Sequence, residues 1–493
     1  MLLDHASCYR AICAKDARFD GRIFTAVVTT GIYCRPICPA RVPKSANVRF
    51  YPSAAGAQEA GYRPCLRCRP ETAPDTPAWR GSGAIIGRAL RLIDEGGLDD
   101  HGVGHLAARL GVGDRHLRRL FLRHVGATPS AVAQTRRVLL AKQLLHETDM
   151  PMAEVAMASG FGSIRRFNEI FQTLFERPPL EIRRGLKRKV LTTTGGGLLL
   201  KLRFRPPYDW KGVQSFLYER QYSSMEAIVD GHYARSFLIN GHAGIVQVGE
   251  GGSDWLQVRV TTPNIVVLPK LIAHVRHAFD LGADPQAIAA HLAGEPVMAA
   301  LSAHCVGMRV PCSWSGFEGV VRAVLGQQIT VKAAIALGSL FVARLGARLS
   351  DHGLSLETLT HIFPTPQVVQ NADLSFLPMP KSRQETIKLV AAAFVENPDF
   401  LIGPLDVVRA RLGAIKGIGK WTIDYVALRV LRDCDAFPAN DVALLRAFGV
   451  RAGRKIDAAA LEIISQPWRP WRAYGAQHLW ASLADNKPVK SGC

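Results

Sequence analysis

The chain has 493 residues, enough for three or four domains, and 48% of them are apolar, which excludes wholesale disorder. Lys and Arg outnumber Asp and Glu by 61 to 41, so the formal charge is +20 and the expected partner is a polyanion, nucleic acid first among them. No long charge-free apolar run offers a membrane span, and Met1-Leu2-Leu3-Asp4-His5 lacks the basic-then-apolar order of a secretion signal, so the expected setting is cytoplasmic with no membrane partner.

The first block, 1–77, is cysteine-rich with mixed strand and turn signals, and ends in a Pro- and Thr-rich stretch, 70–77, that reads as a linker. Cys34 and Cys38 are followed by Cys65 and Cys68, two close pairs separated by a couple of dozen residues. That spacing predicts a tetrahedral thiolate site for Zn2+. On spacing alone such a site is usually a staple for a domain too small for its own core. Cys8 and Cys13 fall outside the pattern and read as ordinary thiols. The segments Thr29-Thr30-Gly31-Ile32-Tyr33-Cys34-Arg35-Pro36-Ile37-Cys38 and Gly61-Tyr62-Arg63-Pro64-Cys65-Leu66-Arg67-Cys68 resemble the N-terminal domain of the Ada adaptive-response family over about residues 5–75. The resemblance implies that Cys34 accepts a methyl group from a DNA methylphosphotriester, with Cys38, Cys65 and Cys68 as supporting ligands. Four thiolates on a divalent cation carry a net charge of −2 that repels phosphate. Methylating one sulfur lowers it, so DNA binding strengthens and a repair event can become a transcription signal.

The second block, 83–186, has the 3.6-residue apolar period of helices, as in Ile86-Ala89-Leu90-Ile93. Two helix–turn–helix patterns occur in tandem, Val103 to Phe121 around Gly111, and Met152 to Phe171 around Gly160. The tandem, with Gly160-Phe161, Phe167 and Phe171, resembles the AraC-type DNA-binding domain. Arg115, His116, Arg118, Arg119, Ser163, Arg165, Arg166 and Asn168 then either contact bases or phosphates, or form a solvated face. Leu106, Leu110, Leu117, Leu120, Phe161, Phe167 and Phe171 are expected in the core. A basic run and a Thr-Gly joint, within 187–197, form the next linker.

The third block opens with strand-like alternation at 198–204 and 255–260, then turns helical from about 267. It reads as an α+β subdomain, 198–310, before a helical one, 311–493. Within the latter, Ile415-Lys416-Gly417-Ile418-Gly419-Lys420-Trp421-Thr422 reads as helix, glycine hairpin, helix, which lets backbone N–H groups at Gly417, Gly419, Lys420 and Thr422 approach a DNA phosphate. Asp441 follows Trp421 by 441 − 421 = 20 positions. With Pro206-Pro207-Tyr208-Asp209-Trp210, Phe317 to Gln327 and Pro470-Trp471-Arg472-Ala473-Tyr474, the block resembles the AlkA-type alkylbase DNA glycosylases over 198–485. The resemblance implies a flipped-out alkylated purine of the 3-methyladenine and 7-methylguanine class. Asp441 is its catalytic carboxylate, and Trp421, Tyr425 and Trp480 form the aromatic base pocket. By local rules Asp441 is also a helix N-cap, and both roles can hold. Asp424, Asp433 and Asp435 read as surface charges.

Lyase-active glycosylases carry a lysine at the position of Trp421, so a monofunctional enzyme is expected. Gln328 stands where the family inserts an apolar wedge into DNA. No iron–sulfur loop is expected. Pro311-Cys312-Ser313-Trp314 lacks the His-Arg pair of a guanine-methyl acceptor, so Cys312 has no such role. The expected molecule joins a small zinc-bound α/β domain, an all-α double helix–turn–helix and an α+β plus helix-hairpin-helix glycosylase. Its partners are double-stranded DNA, alkylated or promoter, and RNA polymerase. The competing readings are a regulator whose glycosylase-like half is inactive, and a repair enzyme whose N-terminal half only tethers it to DNA.

Overall fold

The structure, a computed structural model, describes residues 4–16, 19–73, 83–185, 197–352, 354 and 357–484. Most of the two linkers read from the sequence, with the basic run Lys187-Arg188-Lys189, and Cys493 lie outside the described residues. The chain gathers into two compact units, 1–203 with 259–273, and 204–258 with 274–493.

In the first unit, β1 (Phe24–Val27), β2 (Ile32–Cys34), β3 (Val48–Tyr51) and β4 (Arg63–Pro64) form a sheet in the order β3-β1-β2-β4. β1 pairs antiparallel with β2 and β3, whereas β4 runs parallel to β2 and sets Tyr33 opposite Pro64. That parallel step brings the following residues, Cys34 and Cys65, side by side. Two helices, α1 (His5–Cys13) and α2 (Ala54–Glu59), pack against the sheet. The apolar cluster they close is small: Phe24, Ala26, Tyr33, Ala57 and Tyr62. A core of that size needs a second source of stability such as a metal.

Seven helices follow: α3 (Gly83–Asp94), α4 (Val103–Arg109), α5 (Asp114–His124), α6 (Pro129–Glu147), α7 (Met152–Ala158), α8 (Ile164–Phe175) and α9 (Pro179–Arg184). The pairs α4–α5 and α7–α8 are the two helix–turn–helix units, and α6 joins them. Thr128 and Ser163 cap α6 and α8 through side-chain oxygens that accept backbone N–H bonds. Gly160 turns the second unit at φ +86°, and a Cβ there would meet the Asp99 carboxylate at 2.5 Å, where Arg136 and Arg137 converge. The seven apolar residues assigned to this core are all buried.

The stretch read as the start of a linker is ordered. Pro70–Thr72 form a 3-10 turn that carries Glu71 into the interior. There Lys142 of α6, fully buried, donates from Nζ to Glu71 (2.6 Å) and to the backbone carbonyl of Cys65 (2.7 Å). Arg69 bridges Glu71 and Glu147, each at 3.0 Å. Burial alone would raise the Glu71 carboxyl, but Lys142 and Arg69 outweigh it and hold the group below its ordinary value.

In the second unit, strands Glu226–Val229, His232–Ile239 and His242–Gly252 pair antiparallel, with Arg235 opposite Glu226. Its helices enclose two cores. One surrounds Val320, Val321 and Val324 of the helix Gly316–Leu325; the other surrounds Trp468, Phe437, Phe448 and Leu444. The helix Lys420–Arg429 lies at the seam. Val426 belongs to the first core, Ala427 and Leu428 to the second. A helix gripped on both sides is a rigid support for the side chains on its remaining face.

Candidate active site and metal centre

The helix Lys420–Arg429 presents Trp421, Tyr425 and Arg429 at four-residue spacing, so one face carries all three. Trp421 and Tyr425 stack with centroids 5.1 Å apart, and Trp480, from the helix Arg472–Ala484, meets Tyr425 edge-on at 6.4 Å. Asp441 caps the helix Val442–Ala452: its Oδ1 accepts the Leu444 N–H at 2.9 Å. The same carboxylate accepts the Trp421 indole N–H on Oδ2 (2.8 Å) and the Trp480 indole N–H on Oδ1 (3.1 Å). The structure thus brings together the four residues singled out for base binding and chemistry, and Asp441 is the helix cap expected of it. The two indole bonds were not visible in the sequence, because they depend on side-chain directions set by three separate helices.

In front of this helix, Gly417 adopts φ +94°, and a Cβ there would strike the Thr386 hydroxyl at 2.0 Å, so only glycine fits the hairpin. Gly419 has open space around it and Lys420 is exposed. The Thr422 side chain is 2% exposed, and its hydroxyl accepts a bond from Gln327 Nε2 at 3.0 Å, so it braces the hairpin. Gln327, missed in the sequence, also donates to the Gly417 carbonyl at 3.0 Å. Its neighbour Gln328 is exposed in a left-handed conformation, φ +55°, an uncommon one for a non-glycine residue. Gln328 therefore stands on a loop pinned to the hairpin. Asp424 is no surface charge: it is 5% exposed and paired with Arg409 and Lys420 at 2.6 and 3.1 Å. Asp433 is half-buried, and that desolvation raises its carboxyl. Cys312 is buried.

In the first unit the Sγ atoms of Cys34, Cys38, Cys65 and Cys68 all lie within 4.8 Å of one another. Cys65 and Cys68 are buried, while Cys34 and Cys38 are partly open to solvent. Backbone N–H groups of Arg35 and Arg67 point at Cys68 Sγ and Cys65 Sγ, at 3.3 and 3.4 Å. Such donors favour thiolate. The sulfurs compete for protons: bonds from its companions raise the Cys34 thiol, whereas its bond with Cys34 helps lower Cys38 to about 7. A four-thiol cage with N–H donors fits zinc, which removes that competition by taking all four sulfurs deprotonated.

On the recognition helices Arg115, His116, Arg118 and Arg119, and Ser163, Arg165, Arg166 and Asn168, are all exposed. Some are engaged along their own helix: Arg118 with Asp114 and Arg165 with Glu169, both at 2.8 Å, and Arg119 with His116 at 3.1 Å. Such exposed pairs are weak and exchangeable for phosphate. No helix of the described residues is long and apolar enough to cross a membrane.

Family models match three stretches: the metal binding domain of Ada at 7–71, a helix-turn-helix domain at 106–185, and the AlkA N-terminal domain at 199–315. A "DNA-3-methyladenine glycosylase 2" of Escherichia coli is 31% identical over 285 residues, covering 57% of this chain and 95% of that protein. The solved 3-methyladenine DNA-glycosylase of Archaeoglobus fulgidus, 20% identical, shares the fold with a TM-score of 0.52 over 57% of this chain and 97% of its own. A "Probable bifunctional transcriptional activator/DNA repair enzyme AlkA" of Mycobacterium tuberculosis is 39% identical over 485 residues, 97% of each chain. With the zinc-type cysteine cage, the paired helix–turn–helix units and the glycosylase fold all in one polypeptide, the chain belongs to the family of bifunctional AlkA/Ada-type transcriptional activator and DNA repair enzymes.

Proposed function

We propose that this protein removes alkylated purines from double-stranded DNA and couples alkylation damage to transcription. The observation that carries the first half is the Asp441 carboxylate, fixed by a helix cap and by the indole N–H groups of Trp421 and Trp480. A damaged nucleotide rotates out of the duplex and its base enters between Trp421, Tyr425 and Trp480. Electron-rich rings favour a methylated, cationic base. As the C1′–N bond breaks, the electron pair leaves with the base and positive charge builds on the sugar beside Asp441, which stabilises it and orients the attacking water. Gly417, Gly419 and Lys420 hold the phosphate backbone, and Gln328 fills the gap left by the flipped base. Trp421 occupies the place of the lysine that a lyase would need, so the enzyme is monofunctional.

For the second half, the Cys34 sulfur attacks the methyl carbon of a DNA methylphosphotriester. The S–C bond forms, the C–O bond breaks and a phosphodiester is restored, once per molecule. Cys34, Cys38, Cys65 and Cys68 would hold zinc, which supplies thiolate at neutral pH. Arg115, Arg118, Arg165 and Arg166 then hold promoter DNA, where the protein recruits RNA polymerase. The setting is the cytoplasm.

The first test is release of 7-methylguanine from alkylated duplex DNA by wild type and by Asp441→Asn. Release that falls by at least about 100-fold in the variant supports the reading. No release by folded wild type would leave a regulator with an inactive glycosylase fold.

A further inference from the structure

Beside Tyr425 lies a small open cleft of about 80 Å³, whose wall includes Phe216, Arg220, Cys312, Trp314, Tyr425 and Arg429. Two carboxylates also line it, and both are spent: Glu318 on Arg235 and Arg322, both at 2.9 Å, and Glu226 on Arg322 at 2.6 Å. These four charges cancel. Arg429 is different. It is 4% exposed, and among the described residues no carboxylate lies within ion-pair distance of it. Its Nη1 and Nη2 donate to the Pro311 carbonyl (2.8 Å) and to Gln477 Oε1 (2.7 Å), but its Nε is buried without a partner. The guanidinium lies 5.0 Å from the Trp480 ring centre and 4.5 Å from that of Phe216.

A buried cation without a counter-ion is costly, and a neutral residue could hold the same helix end more cheaply. It also stands where a pocket for cationic bases would least want it, if binding alone were the aim. The chemistry of departure resolves this. When the C1′–N bond breaks heterolytically, the base gains the electron pair. A cationic lesion becomes neutral and a neutral base becomes an anion; in both the charge on the base falls by one, while C1′ gains one. Trp421, bonded to Asp441, and Arg429 are eight residues apart on one helix, about 12 Å along its axis. Trp480 touches both charges: its indole N–H meets the Asp441 carboxylate at 3.1 Å, and its ring faces the Arg429 guanidinium at 5.0 Å.

We infer that Arg429 is the base-side charge for the glycosylase reaction: its fixed positive charge behind Tyr425 and Trp480 draws the electron pair onto the departing base while Asp441 receives the positive charge on the sugar. This rests on the base-pocket reading above. It implies that Arg429 weakens ground-state binding of a cationic base yet speeds its release. Because C1′ gains the charge that the base loses, only the difference between the two distances counts: with the base about 8 Å and the sugar about 12 Å away, at an effective dielectric near 20, the step shifts by about threefold.

The experiment is single-turnover cleavage of duplex DNA carrying one 7-methylguanine, with lesion affinity measured in parallel, for the full chain and its Arg429→Gln and Arg429→Lys variants. Arg429→Gln should cleave about threefold more slowly with affinity unchanged or tighter, and Arg429→Lys should keep the wild-type rate within about 1.5-fold. An unchanged rate in folded Arg429→Gln, or parallel loss of rate and affinity in it, would overturn the inference. So would a loss in Arg429→Lys as large as that from removing the charge, and this arm stands even if the Gln variant does not fold. If wild type releases no base at all, the base-pocket reading fails first and takes this one with it.

Discussion

Asp441 accepts three N–H groups, two from indoles whose rings also build the pocket. A carboxylate has about four lone-pair sites, so one direction is left, as the proposed role towards the sugar or its water requires. Trp480→Phe separates the two duties of that residue, since it keeps an aromatic face and deletes the N–H. A hydrogen bond to a charged group contributes about 1.5–3 kcal/mol, so single-turnover base release should fall at least tenfold with little change in lesion affinity. A rate equal to wild type would mean that the indole bond is idle. A second residue-scale effect concerns stability. His478, 4% exposed and two residues before Trp480, is pushed down by burial to about 4. Its folded value lies below its unfolded one near 6.5, so its neutral form stabilises the fold fully above about pH 6.5. That contribution is lost as pH falls towards 4, by about 3 kcal/mol in all. Urea melts across that window should show the loss in wild type and a flatter profile in His478→Gln. Much of this site can be read in the sequence, because helical spacing joins Trp421 to Tyr425 and the glycine hairpin marks the chain position of Asp441. Gln327, Arg429 and the burial of Thr422 cannot, since each owes its role to partners far away in the chain.

At the scale of elements, α6 is more than a connector between two helix–turn–helix units. Through Lys142 it carries a buried ammonium to the carbonyl of a metal-binding cysteine, and through Glu147 it accepts Arg69 of the same metal loop. Lysine is almost never fully buried unless paired, and here the pair is Glu71, itself 1% exposed. The sequence conceals this contact: Lys142 sits in an ordinary helical pattern, and Glu71 sits in a Pro-rich stretch that looks like a linker. Breaking a buried pair by removing one partner costs about 3–5 kcal/mol, whereas replacing both by apolar or neutral groups is far milder. Lys142→Met should therefore lower the unfolding free energy of the first unit, read from denaturant melts, by that amount, and adding Glu71→Gln should restore most of it. Additive losses in the double variant would show that the two groups do not act as a pair. The cysteine spacing and the two glycine turns were readable because metal geometry and sharp turns constrain nearby residues. The parallel β2–β4 step that brings the cysteine pairs together was not, because strand order is a property of the folded sheet.

At the scale of the molecule, the two activities rest on different sources of stability. The metal-binding region has a small apolar cluster around Tyr33, whereas the glycosylase unit holds its active helix between two large cores. Zinc taken from the four cysteines should unfold the first of these and leave the second intact, because metal-binding energy in so small a domain is folding energy. Since Lys142 grips the carbonyl of Cys65, loss of that loop also exposes a charge and a carboxylate on α6 and the turn beside it. Disorder should then spread into the helix–turn–helix region. The expected outcome of chelation is loss of promoter binding, measured by fluorescence anisotropy, with base release from alkylated DNA reduced less than about threefold. Hydrogen exchange would follow the same division, with protection lost over β1–β4 and α6 but kept over Lys420–Arg429. Equal loss of base release and promoter binding would show that the glycosylase depends on the cysteine cage for its fold, in spite of its own two cores.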